Sequence, residues 1–243
     1  MLRRAVRMLM SVIVMTGAIV GVGATSGTAH AAGCYTWNRT LSEGSSGADV
    51  TQLQIRVAGW VTSGERLSYD GVYGARTAAA VKKFQSAYGL PADGVAGSQT
   101  FSKIYALQDA DCTPVHFAYS ELNKCNPDWS GGAVSAATAK ANALKTMWKL
   151  EAMRHALGDV PITISSGFRS YACNSAVGGA STSRHLYGDA ADLTGSPSFC
   201  TLAKEARVHG FSEILGPGYP DHNDHAHVAL DPSPYWSAPN CGI

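Results

Sequence analysis

The chain has 243 residues, with 19 Lys and Arg against 18 Asp and Glu and a formal net charge of +1. That balance supplies no basic surface of the kind that binds nucleic acid or an anionic membrane, so neither is expected as a partner. The length suits one or two folded domains.

The N-terminus combines Arg3, Arg4 and Arg7 with an apolar run from Met8 to about Val22 and a small-residue Ala29-His30-Ala31 site. This is the pattern of an export signal over residues 1–31, and the run falls short of the roughly 20 residues a spanning helix needs. The mature chain is therefore expected to be secreted, soluble and monomeric. It would carry 16 basic against 18 acidic residues, because the signal removes three arginines and no acid. A lipobox reading of Ala31-Ala32-Gly33-Cys34 is disfavoured, since it would orphan one of an even set of cysteines.

All six cysteines lie in the exported part, where oxidation is the default. Cys34 and Cys112 flank one compact module, which favours pairing Cys34 with Cys112, Cys125 with Cys173 and Cys200 with Cys241. No C-x-x-C pair points to metal binding by these thiols.

Between Leu41 and Leu107 a unit recurs: Asp70-Gly71-Val72-Tyr73-Gly74-Ala75-Arg76-Thr77 returns as Asp93-Gly94-Val95-Ala96-Gly97-Ser98-Gln99-Thr100. The Asp-Gly pairs suit turns with positive φ, and helical apolar spacing follows, as at Ala80, Val81, Phe84 and Ala87. Val50, Leu53, Gln54 and Val57 predict an earlier helix of the same kind. A three-helix bundle results, small enough to gain from a Cys34–Cys112 bridge. These turns and core positions, with Leu53-Gln54, Phe84-Gln85 and Gly89-Leu90, resemble the bacterial peptidoglycan-binding domain family. The resemblance implies that residues 34–112 adhere to peptidoglycan, with Tyr69, Tyr73 and Arg76 as candidate exposed contacts.

Asp109 to about Pro114 reads as a linker, and residues 113–243 as a second domain. Phe117–Leu122 is a short entry segment, and Ser135 to about Leu157 reads as a long helix with Leu144, Met147, Trp148, Leu150, Met153 and Leu157 as apolar positions. Strand-like runs follow at Ile162–Ser165, Ala190–Leu193, Phe211–Leu215 and His225–Leu230. A helix followed by separated strands argues for an α+β fold.

Potential metal ligands concentrate in Ser183-Arg184-His185-Leu186-Tyr187-Gly188-Asp189-Ala190-Ala191-Asp192 and in Asp221-His222-Asn223-Asp224-His225-Ala226-His227. A catalytic zinc takes three nitrogen or carboxylate ligands and keeps one position open. His185, Asp192 and His227 meet that need, and two imidazoles with one carboxylate leave a net positive ion able to acidify water. Residues two apart on a strand share a face, so spacing alone leaves His225 and His227 undistinguished.

The S-x-H-x-x-G-x-A-x-D pattern followed by acid-x-x-His resembles the family of zinc D-Ala-D-Ala carboxypeptidases and dipeptidases, which includes wall L-Ala-D-Glu endopeptidases and shares its fold with the hedgehog signalling domain. The resemblance implies an α+β zinc catalytic domain with a central antiparallel sheet, cleaving the terminal D-Ala-D-Ala bond of peptidoglycan stem peptides. It implies Zn2+ ligands His185, Asp192 and His227, and Asp224 as general base. The shorter aspartate, where many relatives have glutamate, leaves room for His222 or His225 to share the work. His222 would stabilise the oxyanion. Arg169, in Ser165-Ser166-Gly167-Phe168-Arg169, would grip the substrate carboxylate, and Ser183 would add a hydrogen bond. An endopeptidase of the same metal chemistry and a non-catalytic wall-binding protein are the alternatives. The chain has no G-x-S-x-G elbow and no S-x-x-K near a plausible active site, which argues against a serine mechanism.

Overall fold

A computed structural model describes residues 33–243; the export-signal reading falls outside the described residues. The first three helices are α1 (Ala48–Val57), α2 (Ala75–Ala87) and α3 (Ser98–Ala106). The repeated Asp-Gly turns are built alike, each clamped by a glutamine. Gln54 Nε2 donates to Asp70 Oδ1 at 2.9 Å and to Val72 O at 3.1 Å, while its Oε1 accepts from Gly71 N at 3.0 Å. Gln85 does the same with Asp93 Oδ1 at 2.9 Å, Val95 O at 3.0 Å and Gly94 N at 2.9 Å. Gly71 and Gly94 have φ of 71° and 76°, the left-handed region that glycine enters at least cost. A buried amide thus satisfies the polar groups of each turn ahead of its helix.

The helices enclose a core that includes Leu41, Val50, Leu53, Val81, Phe84 and Ile104. Tyr73 belongs to it: it is fully buried, with its hydroxyl donating to Gly94 O at 2.7 Å. The expectation that Tyr73 is an exposed wall contact is therefore corrected; the turn faces its ring inward. Tyr69 is only partly exposed and its hydroxyl is buried, while Arg76 is exposed. The three disulfides join Cys34 to Cys112, Cys125 to Cys173 and Cys200 to Cys241, the expected pairing.

The rest of the chain forms α4 (Tyr119–Leu122), α5 (Ala136–Ala156), β1 (Thr163–Ser166), α6 (Tyr171–Ala176), a 3-10 turn (Arg184–Tyr187), β2 (Ala190–Thr194), α7 (Phe199–Val208), β3 (Glu213–Leu215), β4 (Ala226–Ala229), β5 (Tyr235–Ser237) and a final 3-10 turn (Pro239–Cys241). The long helix begins at a Ser135 cap whose side chain accepts from Thr138 N, which satisfies one of the open N-terminal donors. The sheet order is β1-β2-β4-β3-β5. β1 with β2, β2 with β4 and β4 with β3 are antiparallel, but β3 and β5 are parallel. The sheet is thus mixed rather than purely antiparallel. β5 escapes a reading of the sequence because it is three residues long and sits among Pro232, Pro234 and Pro239, which mask any strand pattern. Helices α5 and α7 cover the sheet and close a second core around Met147, Leu150, Ile164, Leu193, Leu202 and Val228.

Helix α5 also seals the boundary with the N-terminal bundle. Trp148, 2% exposed, packs into the bundle's core and donates from Nε1 to Cys112 O at 3.2 Å. Lys149 Nζ donates to Ala58 O at 3.1 Å and to Gly210 O at 2.8 Å, and His209 Nδ1 lies 2.7 Å from Gly59 O. A Cβ on Gly59 would lie 2.5 Å from Ala152 Cβ, so only glycine allows the segment after α1 to sit this close to α5. Among the described residues no helix is long and apolar enough to cross a membrane.

Candidate metal centre

Three elements bring the site together. Asp192 on β2 stands opposite His227 on β4 in the strand register, and opposite Ser166 on β1. His185 arrives from the 3-10 turn, which ends at Gly188 with φ 75°. A Cβ on Gly188 would lie 2.4 Å from Ala139 O of α5, and Asn142 Nδ2 of the same helix donates to Tyr187 O at 3.0 Å. The glycine of the motif therefore lets the turn sit hard against α5 and fixes the depth of His185.

His185, Asp192 and His227 are all buried. His185 Nε2 lies 3.1 Å from Asp192 Oδ1 and 3.2 Å from His227 Nδ1, and His227 Nδ1 lies 2.8 Å from Asp192 Oδ1. Zinc bonds of 2.0–2.1 Å at tetrahedral angles would separate donors by ~3.4 Å, so small movements of three side chains would accommodate the ion. Among the described residues these three also form a group whose donor atoms all lie within 4.8 Å of one another. The donor set of two imidazoles and one carboxylate is that of a catalytic zinc.

The surroundings fix which atoms face inward. His185 Nδ1 lies 2.5 Å from Gly167 O; a carbonyl only accepts, so the ring proton sits on Nδ1 and the Nε2 lone pair faces the centre. Gly167 is required there, because a Cβ would meet Leu122 O at 2.4 Å. Asp192 Oδ2 accepts from Arg169 Nη2 at 2.7 Å, which leaves Oδ1 for the centre, while Arg169 Nε donates to Ser166 Oγ at 2.9 Å. Burial works against an ionised Asp192, yet the imidazoles of His185 and His227 hold its carboxyl far below the usual range. Burial pushes His185 down against the pull of Asp192. For His227 burial is outweighed by hydrogen bonds to Asp192 and Glu213, which raise it to about 9. Metal entry must therefore displace a proton from His227.

The cluster forms the floor of a cleft of about 660 Å³ whose walls include Arg169, Ser183, His222, His225, Glu213 and Tyr219. His222 Nδ1 lies 2.7 Å from Pro220 O, its ring centroid 4.7 Å from that of His225 and 5.9 Å from that of His227. Asp224 stands apart from the floor: its side chain is 89% exposed, and its Oδ1 lies 2.8 Å from His225 Nδ1. That bond keeps its carboxyl below the ordinary value. His225 Nε2 in turn lies 3.7 Å from Asp192 Oδ1, so both strand-end histidines face the centre and only His227 belongs to the tight cluster.

Glu213 on β3 is not singled out by the sequence, although it lies at the edge of the cluster. Its Oε1 lies 2.9 Å from His227 Nε2. Burial opposes its ionisation, but His227 holds it below its usual range. The one available signal is an acid in the strand-like run Phe211-Ser212-Glu213-Ile214-Leu215.

Comparison with known proteins agrees with this architecture. The model of the peptidase M15 family matches residues 115–229, and a peptidoglycan binding domain model matches residues 46–104. The zinc D-Ala-D-Ala carboxypeptidase of Streptomyces albus G is 62% identical over 252 residues, covering 99% of each chain. A spore cortex-lytic enzyme of Bacillus cereus is 42% identical over 65 residues, 26% of this chain and 24% of its own. The solved N-terminal domain of SleB shares 38% identity over 28% of this chain and 92% of that one, with a TM-score of 0.26. With its length matched almost end to end by a zinc carboxypeptidase and four of its five strands within the residues that the family model matches, the chain belongs to the peptidase M15 family.

Proposed function

We propose that the chain is a zinc D-Ala-D-Ala carboxypeptidase of peptidoglycan stem peptides, exported to the cell wall, with a binding domain over residues 34–112 and a catalytic domain over 113–243. The observation that carries this reading is the buried triangle of His185, Asp192 and His227 at the floor of an open cleft. The near full-length similarity to a zinc D-Ala-D-Ala carboxypeptidase supports the same substrate.

Zinc in this site supplies Lewis acidity towards the scissile carbonyl and brings the pKa of water towards ~7. The remaining work falls to the chain's own groups. Asp224, exposed outside the cleft lining, is hydrogen-bonded to His225, whose Nε2 faces Asp192 on the floor. The pair takes the proton of the attacking water and returns it to the leaving amine, with Asp224 as the base. His222, fixed by Pro220 O through Nδ1, offers Nε2 to the developing oxyanion. Arg169 has Nε and Nη2 committed to Ser166 and Asp192, so its Nη1 edge meets the terminal carboxylate of the substrate. Ser183, on the cleft wall, adds a hydrogen bond to the peptide. A site that reads a free carboxylate acts as an exopeptidase.

Mass spectrometry of a digested stem pentapeptide tests this reading. Release of one alanine is expected, and it should cease on chelation and return with zinc. Cleavage inside the stem would replace the reading with an endopeptidase of the same centre, and absence of any cleavage would leave only wall binding.

A further inference from the structure

Behind His227, away from Asp192 and His185, stands a carboxylate that the hydrolytic steps do not use. Strands β3 and β4 pair Leu215 with His227 and Glu213 with Ala229. Residues two apart on a strand share a face, so Glu213 is the diagonal neighbour of His227, within reach of a long side chain. Its side chain is 21% exposed, and Oε1 lies 2.9 Å from His227 Nε2. The residues on either side, Ser212 and Ile214, are buried. Placing an acid in such a strand is costly unless a partner compensates it, and the partner here is a ring nitrogen of the metal cluster.

The two histidines of the centre are presented in opposite senses. His185 turns Nε2 inward with Nδ1 on the Gly167 carbonyl, whereas His227 turns Nδ1 inward with Nε2 on Glu213. A carboxylate is only an acceptor when ionised, so the proton of this contact belongs to Nε2, and the proton that metal entry displaces is the one Nδ1 shares with Asp192, which gives the Nδ1 lone pair to the centre. The acceptor behind His227 carries a charge, unlike the carbonyl behind His185, and a charged acceptor makes the imidazole a stronger donor.

Resting on the zinc reading above, we propose that Glu213 is a positioning residue for the metal: it locks His227 as the Nε2–H tautomer, presents Nδ1 to the ion and strengthens zinc binding. Its carboxylate touches neither substrate nor ion and acts through His227.

The test compares zinc dissociation constants of the full chain, wild type, Glu213→Gln and Glu213→Leu, by competition with a chromogenic chelator. Histidine-ring 1H–15N spectra of the zinc-loaded proteins are recorded in parallel. Zinc should bind about tenfold more weakly to Glu213→Gln, whose amide oxygen still accepts from Nε2, and up to ~100-fold more weakly to Glu213→Leu. The spectra should show His227 bound through Nδ1 and protonated at Nε2 in the wild type and in Glu213→Gln, and a mixture of Nδ1-bound and Nε2-bound rings in Glu213→Leu. Affinities within about twofold of wild type in both variants would overturn the proposal; if Glu213→Leu does not fold, an unchanged Glu213→Gln suffices. A wild type that takes up no zinc, or a His185→Ala variant that binds it equally well, would instead overturn the metal centre itself.

Discussion

Asp192 and His227 are register partners across β2 and β4, and their Oδ1 and Nδ1 atoms approach to 2.8 Å. The strand pairing, rather than a loop, sets the distance between a carboxylate and an imidazole 35 positions apart in the chain. Sites held on paired strands keep their geometry better than sites on loops, and the flanking Ala191 and Ala226, both fully buried, let other layers pack closely on these strands.

The guanidinium of Arg169, proposed above to meet the substrate carboxylate, also holds Asp192 Oδ2 of this pairing at 2.7 Å. Lysine cannot reproduce that planar fork. Arg169→Lys should therefore raise KM and lower kcat together, reducing kcat/KM by about 100-fold, as expected for losing a charged hydrogen bond of ~3 kcal/mol. Steady-state kinetics on a stem pentapeptide checks this; a change in KM alone would show that Arg169 does not act through Asp192.

Gly188 should tolerate no side chain. Its φ of 75° and the mere 2.4 Å that would separate an added Cβ from Ala139 O both oppose alanine. Gly188→Ala should destabilise the chain by about 2 kcal/mol or more and weaken zinc binding by displacing His185. Urea unfolding with and without zinc measures both; wild-type values would show that the 3-10 turn adapts.

His209, at the boundary between the bundle and the catalytic part, gives acid sensitivity. Burial lowers its pKa from 6.5 to about 4, and its Nε2 has no hydrogen-bond partner, with Glu205 Oε2 3.6 Å away. Between these values the unfolded chain binds a proton that the folded chain refuses, so stability falls as pH drops from 6.5 to about 4. Below that window the group adds no further loss. The full effect is of order 3 kcal/mol. In zinc-free protein His209→Gln should lose this part of the slope in urea unfolding between pH 6.5 and 4; an identical slope would assign the acid sensitivity to other groups.

The parts legible in the sequence are those written in local spacing. The two D-G-x-x-G-x-x-T units predict the turn-plus-helix pairs, the Ser135 start predicts α5, and the cysteines flanking the first module predict the disulfide pairing. His185 and Asp192 are tied by the spacing of one motif, and strand alternation narrows the second histidine to His225 or His227; the pairing of β2 with β4 then brings His227 to them. What escapes depends on contacts between distant segments. Tyr73 turns inward because Gly94 lies behind it, and Trp148 of α5 completes the core of the other module. Glu213 meets His227 only because β3 pairs with β4, and β5 joins β3 in parallel from beyond a run of prolines. Asp224, chosen by motif, is exposed outside the cleft lining with His225 between it and the floor, a placement that no spacing rule anticipates.

The most direct test of the central claim is the zinc content of the dialysed full chain, measured for the wild type and for Asp192→Ala. One zinc per wild-type chain and essentially none in the variant is the expected result. A wild type without zinc, or an Asp192→Ala chain that keeps a full equivalent, would contradict a metal centre built from His185, Asp192 and His227.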